Sequence, residues 1–472
     1  MTAARDLGSI SRRALLGVGG LAAIGATAAA WPRLSGADIP GRNEDVLRIA
    51  ILGTAQDAQA RQALVDEFVS AHPDIPVRLQ AIQAADWNDY FTKLLTMMAA
   101  GTAPDVTFVA TEGAQLFAER LAEPLDSWID ADADAGDLGD YFGDVHPSLI
   151  ESFMYRGSLY TLPLDFNAAN MYLNLDALSE AGLQRPSADW DIDEFEAMLR
   201  GLNAGNSGNF SPYYWTNRLF GGVVPWLYAN DTSILVEDRF DGGDWLWDRF
   251  YSPGEIGERR GGYRWTASNV SAPEVTETFE RLNSWVREGL SVRPEEGGGN
   301  ALVGLFASSR IGATPAGGYW AQGLHEAGMT ADQFDVQYFP RWSSQRHQFG
   351  AAGYAMMRTS ERKEQAWEWL KFTATKDAME LAYPTPETTP TRRSMATDAF
   401  YRDTGPEHWQ VFYQTLDEFP TSGPIPAPPQ QAEIENSLAR NVATAMGGSE
   451  ARLHDALERL DDQLTAAMET DS

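Results

Sequence analysis

Short apolar runs alternate with helical patterns over residues 46–119, and this alternation constrains the fold more than any other feature. Residues 46–52, 75–82 and 105–110 are β-rich runs, and each is followed by apolar residues at helical spacing. Strand–helix–strand units with short connections build a parallel sheet, because such crossovers are right-handed. The pattern therefore predicts an α/β fold with a doubly wound, mostly parallel sheet.

Polar side chains follow each of these three runs. Gln56 comes after the first, Asp86 after the second and Glu112 after the third. Ligands of doubly wound sheets bind beyond the carboxyl ends of the strands. The same polar residues could instead only cap helices. All three are candidate ligand contacts, with capping as the open alternative.

Composition excludes several classes of function. The chain of 472 residues has no cysteine, so disulfides, thiolate metal sites, thioester chemistry and a lipid anchor on cysteine are excluded. The formal net charge of −31 disfavours nucleic acid and anionic lipid as partners. No cofactor-binding pattern stands in a supporting context: the G-x-G-x-x-A match at 17–22 has no preceding strand.

The amino terminus has the pattern of an export signal. Residues 11–16 resemble a twin-arginine motif, and an apolar stretch follows from Ala14 to Ala30. A charged segment, a short apolar segment and small residues at its end are typical of a cleavable signal peptide. We therefore predict a signal over residues 1–30 and export to the periplasm without a lipid anchor. An uncleaved membrane anchor is the alternative.

Several segments resemble motifs of the extracellular solute-binding protein family 1, which includes maltose-binding protein. They follow one another in the family's order between residues 45 and 465. Each alone is weak, and the departures are small, such as Leu175 for the usual basic residue. The segments are Ala103–Phe108, Leu121–Asp126, Tyr155–Asp165, Ala169–Asn174 with Leu178–Gly182, Pro186–Phe195, Leu305–Trp320, Gln348–Thr373 and Pro384–Arg393.

The resemblance implies two α/β lobes joined by a hinge that the chain crosses more than once. The first lobe is predicted at 45–165 plus 350–384, and the second at 166–349 plus 385–472. The implied function is a non-enzymatic periplasmic protein that captures a carbohydrate by hinge closure. It would deliver the sugar to the membrane permease subunits of an ABC importer, acting as a monomer without cofactor, metal or nucleic acid.

Aromatic rings and polar groups that converge on one cavity are the expected design of a sugar site. The family places a stacking aromatic near its G-x-W segment, so Tyr319 and Trp320 are the first candidates for stacking on a sugar ring. Any of the tryptophans could instead pack in a core, and Arg392 could instead form an interlobe salt bridge. The further candidate contacts are Trp215, Trp226, Asp165, Asn167, Asn217 and Arg392.

Two other functions stay open at the level of sequence. One is an exported glycoside-acting enzyme, since carboxylates are plentiful, although no catalytic motif supports it: Ser360–Lys363 matches S-x-x-K without its companion motifs. The other is a sensor that binds a solute other than sugar. The acidic run 130–134 resembles a calcium loop but has Ala135 and Tyr141 at its sixth and twelfth positions.

Overall fold

A computed structural model describes residues 45–132, 137–206, 209–294, 299–403 and 405–469. The predicted signal segment lies outside the described residues, as does part of the acidic run 130–134. The fold described below belongs to one compact unit that begins at Leu47. Within the described ranges, no helix combines the length and the apolar character needed to span a bilayer.

The strands fall into two larger sheets and two small two-stranded sheets. In chain order they are β1 Leu47–Leu52, β2 Val77–Ile82, β3 Val106–Ala110, β4 Met154–Tyr155, β5 Ser158–Leu159, β6 Leu162–Ala168, β7 Asn170–Asn174, β8 Ser211–Tyr213, β9 Leu235–Arg239, β10 Tyr263–Ser268, β11 Ile311–Ala316, β12 Phe334–Gln337, β13 Gln348–Met356, β14 Thr389–Pro390 and β15 Gly423–Pro424.

Helices cover both sheets. They are α1 Ala55–Ala60, α2 Gln62–Ala71, α3 Trp87–Ala99, α4 Ala114–Arg120, α5 Asp126–Asp132, α6 Asp137–Asp144, α7 Pro147–Glu151, α8 Leu175–Glu180, α9 Ile192–Gly205, α10 Val224–Ala229, α11 Asp244–Phe250, α12 Pro253–Ile256, α13 Pro273–Arg287, α14 Gly299–Ala307, α15 Trp320–Glu326, α16 Lys363–Thr373, α17 Lys376–Ala382, α18 Asp398–Tyr401, α19 Val411–Glu418, α20 Gln431–Ala445 and α21 Glu450–Glu469.

The first sheet has the order β14-β6-β13-β3-β1-β2, with β15 beside β13, and it defines the first lobe. The strands predicted first behave as expected: β1 pairs in parallel with both β2 and β3. The next strand, β13, runs antiparallel to β3 and to β6. The sheet is therefore mixed rather than mostly parallel. The local sequence pattern did not predict the antiparallel strand, because β13 lies more than two hundred residues after β3 in the chain.

The second sheet has the order β12-β7-β11-β8 and defines the second lobe. Its central strands β7 and β11 are antiparallel, as are β7 and β12, and only β8 pairs in parallel with β11. The two-lobed α/β architecture predicted from the sequence is observed, with mixed pairing in both sheets.

The chain crosses between the lobes several times. Strand β6 ends at Ala168 in the first sheet, and β7 begins at Asn170 in the second. The chain returns between β12 and β13. Thr389–Pro390, which the sequence assigned to the second lobe, instead pair with β6 of the first sheet. The chain finally leaves the first sheet after β15 for helices of the second lobe's core, α20 and α21.

Helix α21 closes the second lobe as its leucine pattern predicts. Leu453, Leu457, Leu460 and Leu464 are buried on one face. The backbone N–H of Arg452 faces the hydroxyl of Ser449, the residue expected to cap the helix. The stripe packs against the aromatic core of the same lobe, so the terminal helix is an integral part of the fold.

Residues 235–268 form a strap between the two lobes. Its strands β9 and β10 pair with each other, and Leu235, Tyr263 and Trp265 pack in the second lobe's core. Its helix α11 instead places Leu246 and Trp247 in the first lobe's core. The strap therefore buries apolar side chains in both lobes.

Charged side chains also join the strap to the body of the protein. Arg239 lies 3.1 Å from the carboxylate of Glu151 and 3.0 Å from that of Glu237. Glu237 in turn contacts Arg346 at 2.8 Å. Glu151 is 1% exposed, and burial raises its pKa against the lowering effect of Arg239. The stability of a protein with such a buried carboxylate depends on the cation that pairs with it.

Candidate ligand-binding site

A cavity of about 330 Å³ lies between the two sheets. Both lobes contribute to its wall, as a site closed by interlobe motion requires. The first lobe provides Trp87, Ala110, Glu112, Asp165, Asn167, Gly350, Ala351 and Ala352. The second lobe provides Trp215, Thr216, Arg218, Phe220, Gly221, Leu302, Thr314, Pro315, Tyr319 and Trp320.

A second cavity of about 390 Å³ adjoins the first. The two share Trp87, Glu112, Arg218 and Phe220, so together they form one continuous space, here called the cleft. The second part is more polar. Its remaining lining residues are Asp86, Asn88, Asp89, Thr92, Ile425, Gln431, Ala432, Glu435, Asn436 and Ala439.

Strand ends position many of these side chains. Ala110 ends β3, and Glu112 lies in the short helical turn that follows. Asp165 and Asn167 are two residues apart on β6 and therefore face the same side of the sheet. Tyr319 and Trp320 begin α15 shortly after β11. The cleft thus lies at strand ends, where α/β sheets bind ligands.

Two glycines bring the turn before α15 against the first lobe. A Cβ atom at Gly317 would lie 2.6 Å from Cβ of Asn167, and one at Gly318 would lie 2.6 Å from the hydroxyl of Thr389. The backbone N–H of Tyr319 donates to Oδ1 of Asn167 at 3.3 Å. These two glycines therefore let the second lobe approach the first.

Asp165 is held by a tyrosine. The hydroxyl of Tyr383 donates to Oδ2 of Asp165 at 2.6 Å. Burial raises the pKa of Asp165 to about 6, although the Tyr383 hydrogen bond and the charge of Arg61 act in the opposite direction. This carboxylate is therefore oriented before any ligand arrives.

Glu112 and Arg218 line both parts of the cleft and have few partners. The Glu112 carboxylate accepts from its own backbone N–H and from the hydroxyl of Thr111, at 3.4 Å, and burial nevertheless raises the pKa of Glu112. Among the described residues, the guanidinium of Arg218 makes no ion pair within 4 Å, and its side chain is exposed. Both groups are thus available to a ligand.

Glu435 lines the second part of the cleft from helix α20. The backbone N–H of Leu219 donates to its Oε1 at 3.1 Å, and the amide of Gln431 donates to its Oε2 at 3.0 Å. Burial nevertheless raises its pKa to about 7, and the negative charges of Glu112 and Asp86 add to the effect. At neutral pH the folded protein therefore keeps a proton here part of the time.

We expect Glu435→Gln to stabilise the protein only at high pH. A carboxyl whose folded pKa lies above its unfolded value near 4.5 binds more protons when folded, so stability falls as pH rises from about 4.5 to 7. The substitution removes that penalty, which is about 3 kcal/mol above pH 7 and close to zero at pH 4. Urea unfolding at both pH values measures the difference. A glutamine at position 435 also fits, because its amide could donate to Oε1 of Gln431, a buried acceptor that has no partner among the described residues.

Glu433→Gln is the matched control for that measurement. Glu433 lies on the same helix, and its side chain is exposed. The Glu433→Gln variant should have the same pH dependence of unfolding as the parent protein. Equal behaviour of the two variants would contradict the assignment of the penalty to Glu435.

Besides Oε1 of Gln431, two buried polar atoms of residues that line the cleft have no hydrogen-bond partner among the described residues. They are Nε1 of Trp215 and the hydroxyl oxygen of Thr314, and both residues are fully buried. An unmatched buried polar group is unfavourable unless something bonds to it. A donor and an acceptor without protein partners in the wall of a cavity indicate a polar ligand.

The sequence matches the known family over residues 63–406, whose model is described as bacterial extracellular solute-binding protein. This chain belongs to that family. A binding protein of Brucella abortus strain 2308 is 23% identical over 406 residues, which cover 84% of this chain and 87% of that protein.

Solved structures with the same fold include two of other bacterial transport proteins. An ABC substrate-binding protein of Listeria monocytogenes, in complex with cycloalternan, has a TM-score of 0.69 at 20% identity. The match covers 88% of this chain and 98% of that one. A solute-binding protein of Thermotoga lettingae, bound with alpha-D-tagatose, has a TM-score of 0.67 at 18% identity, covering 89% and 100%.

Most of the ligand contacts that the sequence suggested for this solute-binding protein do line the cleft. Asp86 lies in the part beside Glu435. The others line the first part: Glu112, Asp165, Asn167, Trp215, Tyr319 and Trp320. Their role in binding is taken up below as a proposal.

Trp226 and Asn217 are placed away from the cleft and need correction. Trp226 is fully buried, donates from Nε1 to the hydroxyl of Tyr213 at 2.8 Å and packs edge-on against Trp285 at 4.8 Å. The amide of Asn217 donates to the carbonyl of Ala439 at 3.1 Å. Both side chains serve the packing of the second lobe.

Arg392 and Gln56 also lie elsewhere. The buried Arg392 pairs with Asp140 at 2.8 Å and with Asp144 at 3.4 Å, so it forms a salt bridge rather than a ligand contact, but within the first lobe and not between the lobes. Gln56 is exposed in the first turn of α1 and does not line the cleft. We remove these four residues from the candidate contacts.

Sequence reasoning missed several lining residues of the solute-binding protein. Arg218 directly follows the aromatic segment 213–217 and could have been found by its position. Glu435 could not, because it lies on a helix far along the chain that only the fold brings to the cleft. Within the described ranges, no cluster of three or more histidine, aspartate or glutamate side chains is arranged to hold a metal ion.

Proposed function

We propose that this protein captures a carbohydrate in the cleft and delivers it to an ABC importer. The observation that carries the proposal is the lining of the cleft. Aromatic rings of both lobes, among them Trp87 and Trp320, surround polar groups that have no protein partner. Rings stack on the C–H faces of sugars, and the unpartnered atoms suit their hydroxyls. Structures of the same fold hold cycloalternan and tagatose.

Capture would proceed by closure of the lobes around the sugar. Glu112 and Asp165 belong to the first lobe, whereas Trp215 and Tyr319 belong to the second. A ligand that contacts both walls binds the closed form more tightly and shifts the population toward it. The permease subunits of the importer would then recognise the closed form.

The same proposal includes the cellular location and the oligomeric state of the protein. The twin-arginine-like segment supports export by a signal peptide over residues 1–30. The absence of cysteine supports a periplasmic protein without a lipid anchor. We propose that it acts as a monomer and binds without catalysis, as expected of a transport receptor.

Thermal unfolding of residues 31–472 against a panel of sugars and polyols tests the proposal. A ligand of the folded state raises the midpoint by mass action, by the equivalent of about 2.7 kcal/mol at a hundredfold excess over Kd. We expect a shift with one class of sugar and no product after long incubation. Turnover of a glycoside, or no shift with any sugar, would contradict it.

Tyr319→Ala should weaken sugar binding about tenfold without loss of stability. Tyr319 is 44% exposed at the cleft, so its truncation removes a stacking surface and little buried area. Isothermal titration with the sugar found in the panel measures the effect. Leu305→Ala is the matched control, since Leu305 lies in the same lobe, is 36% exposed and does not line the cleft. Equal affinities of the two variants would exclude Tyr319 as a contact.

A further inference from the structure

The charges in the cleft do not balance. The lining carboxylates are Asp86, Asp89, Glu112, Asp165 and Glu435, and the basic lining residue is Arg218. Burying charge without a partner is unfavourable. The question is therefore which of these carboxylates the protein already satisfies.

Three of them have strong partners of their own. Asp89 forms an ion pair with Lys93 at 2.8 Å. Asp86 caps helix α3 by accepting the backbone N–H of Asp89. Asp165 accepts the hydroxyl of Tyr383. These groups need nothing from a ligand.

Glu112 and Glu435 remain. Glu435 accepts two neutral donors, as described above, whereas Glu112 accepts from its own backbone N–H and from the distant hydroxyl of Thr111, with no cation in contact among the described residues. Burial raises the pKa of both, which shows that their environment opposes negative charge. Arg218 supplies one positive charge for two carboxylates. A single guanidinium cannot compensate both carboxylates when both are ionised.

Aromatic rings lie at the same place as this excess charge. Trp87 and Phe220 line both parts of the cleft, as Glu112 does, so rings and carboxylate meet where the two cavities join. Ring faces attract cations through their quadrupole. Carboxylates and aromatic rings together suit an ammonium group better than a neutral hydroxyl.

Independent evidence for a ligand with hydroxyls comes from residues that line the first part of the cleft. Nε1 of Trp215 and the hydroxyl of Thr314 are fully buried and have no hydrogen-bond partner among the described residues. Neither atom needs a cation. They require ligand atoms that accept and donate hydrogen bonds, as sugar hydroxyls do.

We propose that the ligand is a sugar that carries a basic amine, with its ammonium group against Glu112 and its hydroxyls toward Trp215 and Thr314. This inference rests on the proposed carbohydrate-binding function. An ammonium supplies the missing positive charge and makes a charge-assisted hydrogen bond, which is about twice as strong as a neutral one. A hydroxyl can bond to Glu112 but leaves its charge uncompensated.

Titration with three matched hexose series tests the inference. The series are glucose, galactose and mannose, each with its 2-amino and its 2-acetamido counterpart, and spermidine is the amine without a sugar ring. The amino and acetamido forms differ mainly in charge. We expect one amino sugar to bind at least about tenfold tighter than both counterparts and tighter than spermidine.

The variant Glu112→Gln assigns the preference to its residue. It should abolish the advantage of the amino sugar over the neutral and acetamido hexoses. Glu119→Gln, a carboxylate on the neighbouring helix that does not line the cleft, is the matched control and should keep the preference. A second readout is the midpoint of thermal unfolding of each variant, which reports whether it folds normally.

The outcomes separate this inference from the proposed function. Tight binding of a neutral or acetamido hexose without preference for the amine would overturn the inference and leave carbohydrate binding intact. Spermidine as the tightest ligand would overturn both, because it has no sugar ring. An amine preference that survives Glu112→Gln would overturn the role of Glu112.

Discussion

Arg239→Ala is expected to lower the free energy of unfolding by about 3 kcal/mol. Arg239 holds Glu151 at 3.1 Å and Glu237 at 3.0 Å, and its guanidinium lies 3.6 Å from the ring centre of Tyr263. Its removal leaves the carboxylate of Glu151, which is 1% exposed, without the cation that contacts it, although the charge of Arg259 still acts on it. Urea unfolding monitored by tryptophan fluorescence measures the loss.

The deficit should also depend on pH in a defined direction. Without Arg239, burial raises the pKa of Glu151 further, so the folded variant binds more protons than the unfolded chain. Its stability then falls as pH rises, and the deficit should be larger at pH 8 than at pH 5.

Arg264→Ala is the control in the same strap. Arg264 pairs with Asp238 at 3.8 Å, and both side chains are more than half exposed. Exposed pairs contribute little, so we expect a change within about 0.5 kcal/mol. A loss as large as that of Arg239→Ala would mean that the strap responds to any change of charge. A negligible loss for Arg239→Ala would show that the lobes are held without this ion cluster.

Trp226→Ala should lower the free energy of unfolding by about 3–5 kcal/mol. Trp226 is fully buried among Phe195, Trp285 and Phe339, with ring centres about 5 Å apart. Truncation opens a large cavity and leaves the hydroxyl of Tyr213 without its donor. Denaturant unfolding measures this loss.

Ligand binding should hardly change in the same variant. Under conditions where Trp226→Ala is folded, its sugar affinity should stay within about twofold of the parent protein. Tyr319→Ala should show the reverse pattern, with weak binding and normal stability. A large loss of affinity in Trp226→Ala, together with a small loss of stability, would return Trp226 to the ligand contacts.

Glu435 shows how stability and function oppose each other in the cleft. Its burial is unfavourable above neutral pH, yet it lies beside Arg218 and Glu112 where a charged ligand would bind. Active and binding sites commonly keep such destabilising groups. Glu435→Gln is therefore expected to gain stability at high pH, and any effect on the amine preference would come through the charge balance of the cleft.

Local sequence patterns determined the elements of the first lobe and the end of the chain. The runs at 46–52, 75–82 and 105–110 became β1, β2 and β3, paired in parallel. Leucines at helical spacing determined the buried face of α21. These features depend on neighbours in sequence, where periodicity directly reflects which face is buried.

Only the tertiary structure decided how distant segments meet. Antiparallel β13 made the first sheet mixed, and β14 joined the first sheet rather than the second lobe. Neither arrangement leaves a mark in the local pattern, because strand pairing depends on contacts between residues far apart in the chain. The role of residues 235–268 as a strap between two cores was hidden for the same reason.

The residues of the cleft also fall into those that the sequence identified and those that only the folded structure placed. The sequence identified Glu112, Asp165 and Tyr319 as candidate contacts, because strand ends and family motifs mark their positions. It could not distinguish Trp215, which lines the cleft, from Trp226, which lies in the core. A tryptophan serves packing and sugar stacking with the same ring, and only the direction of its side chain in the folded protein separates the two roles.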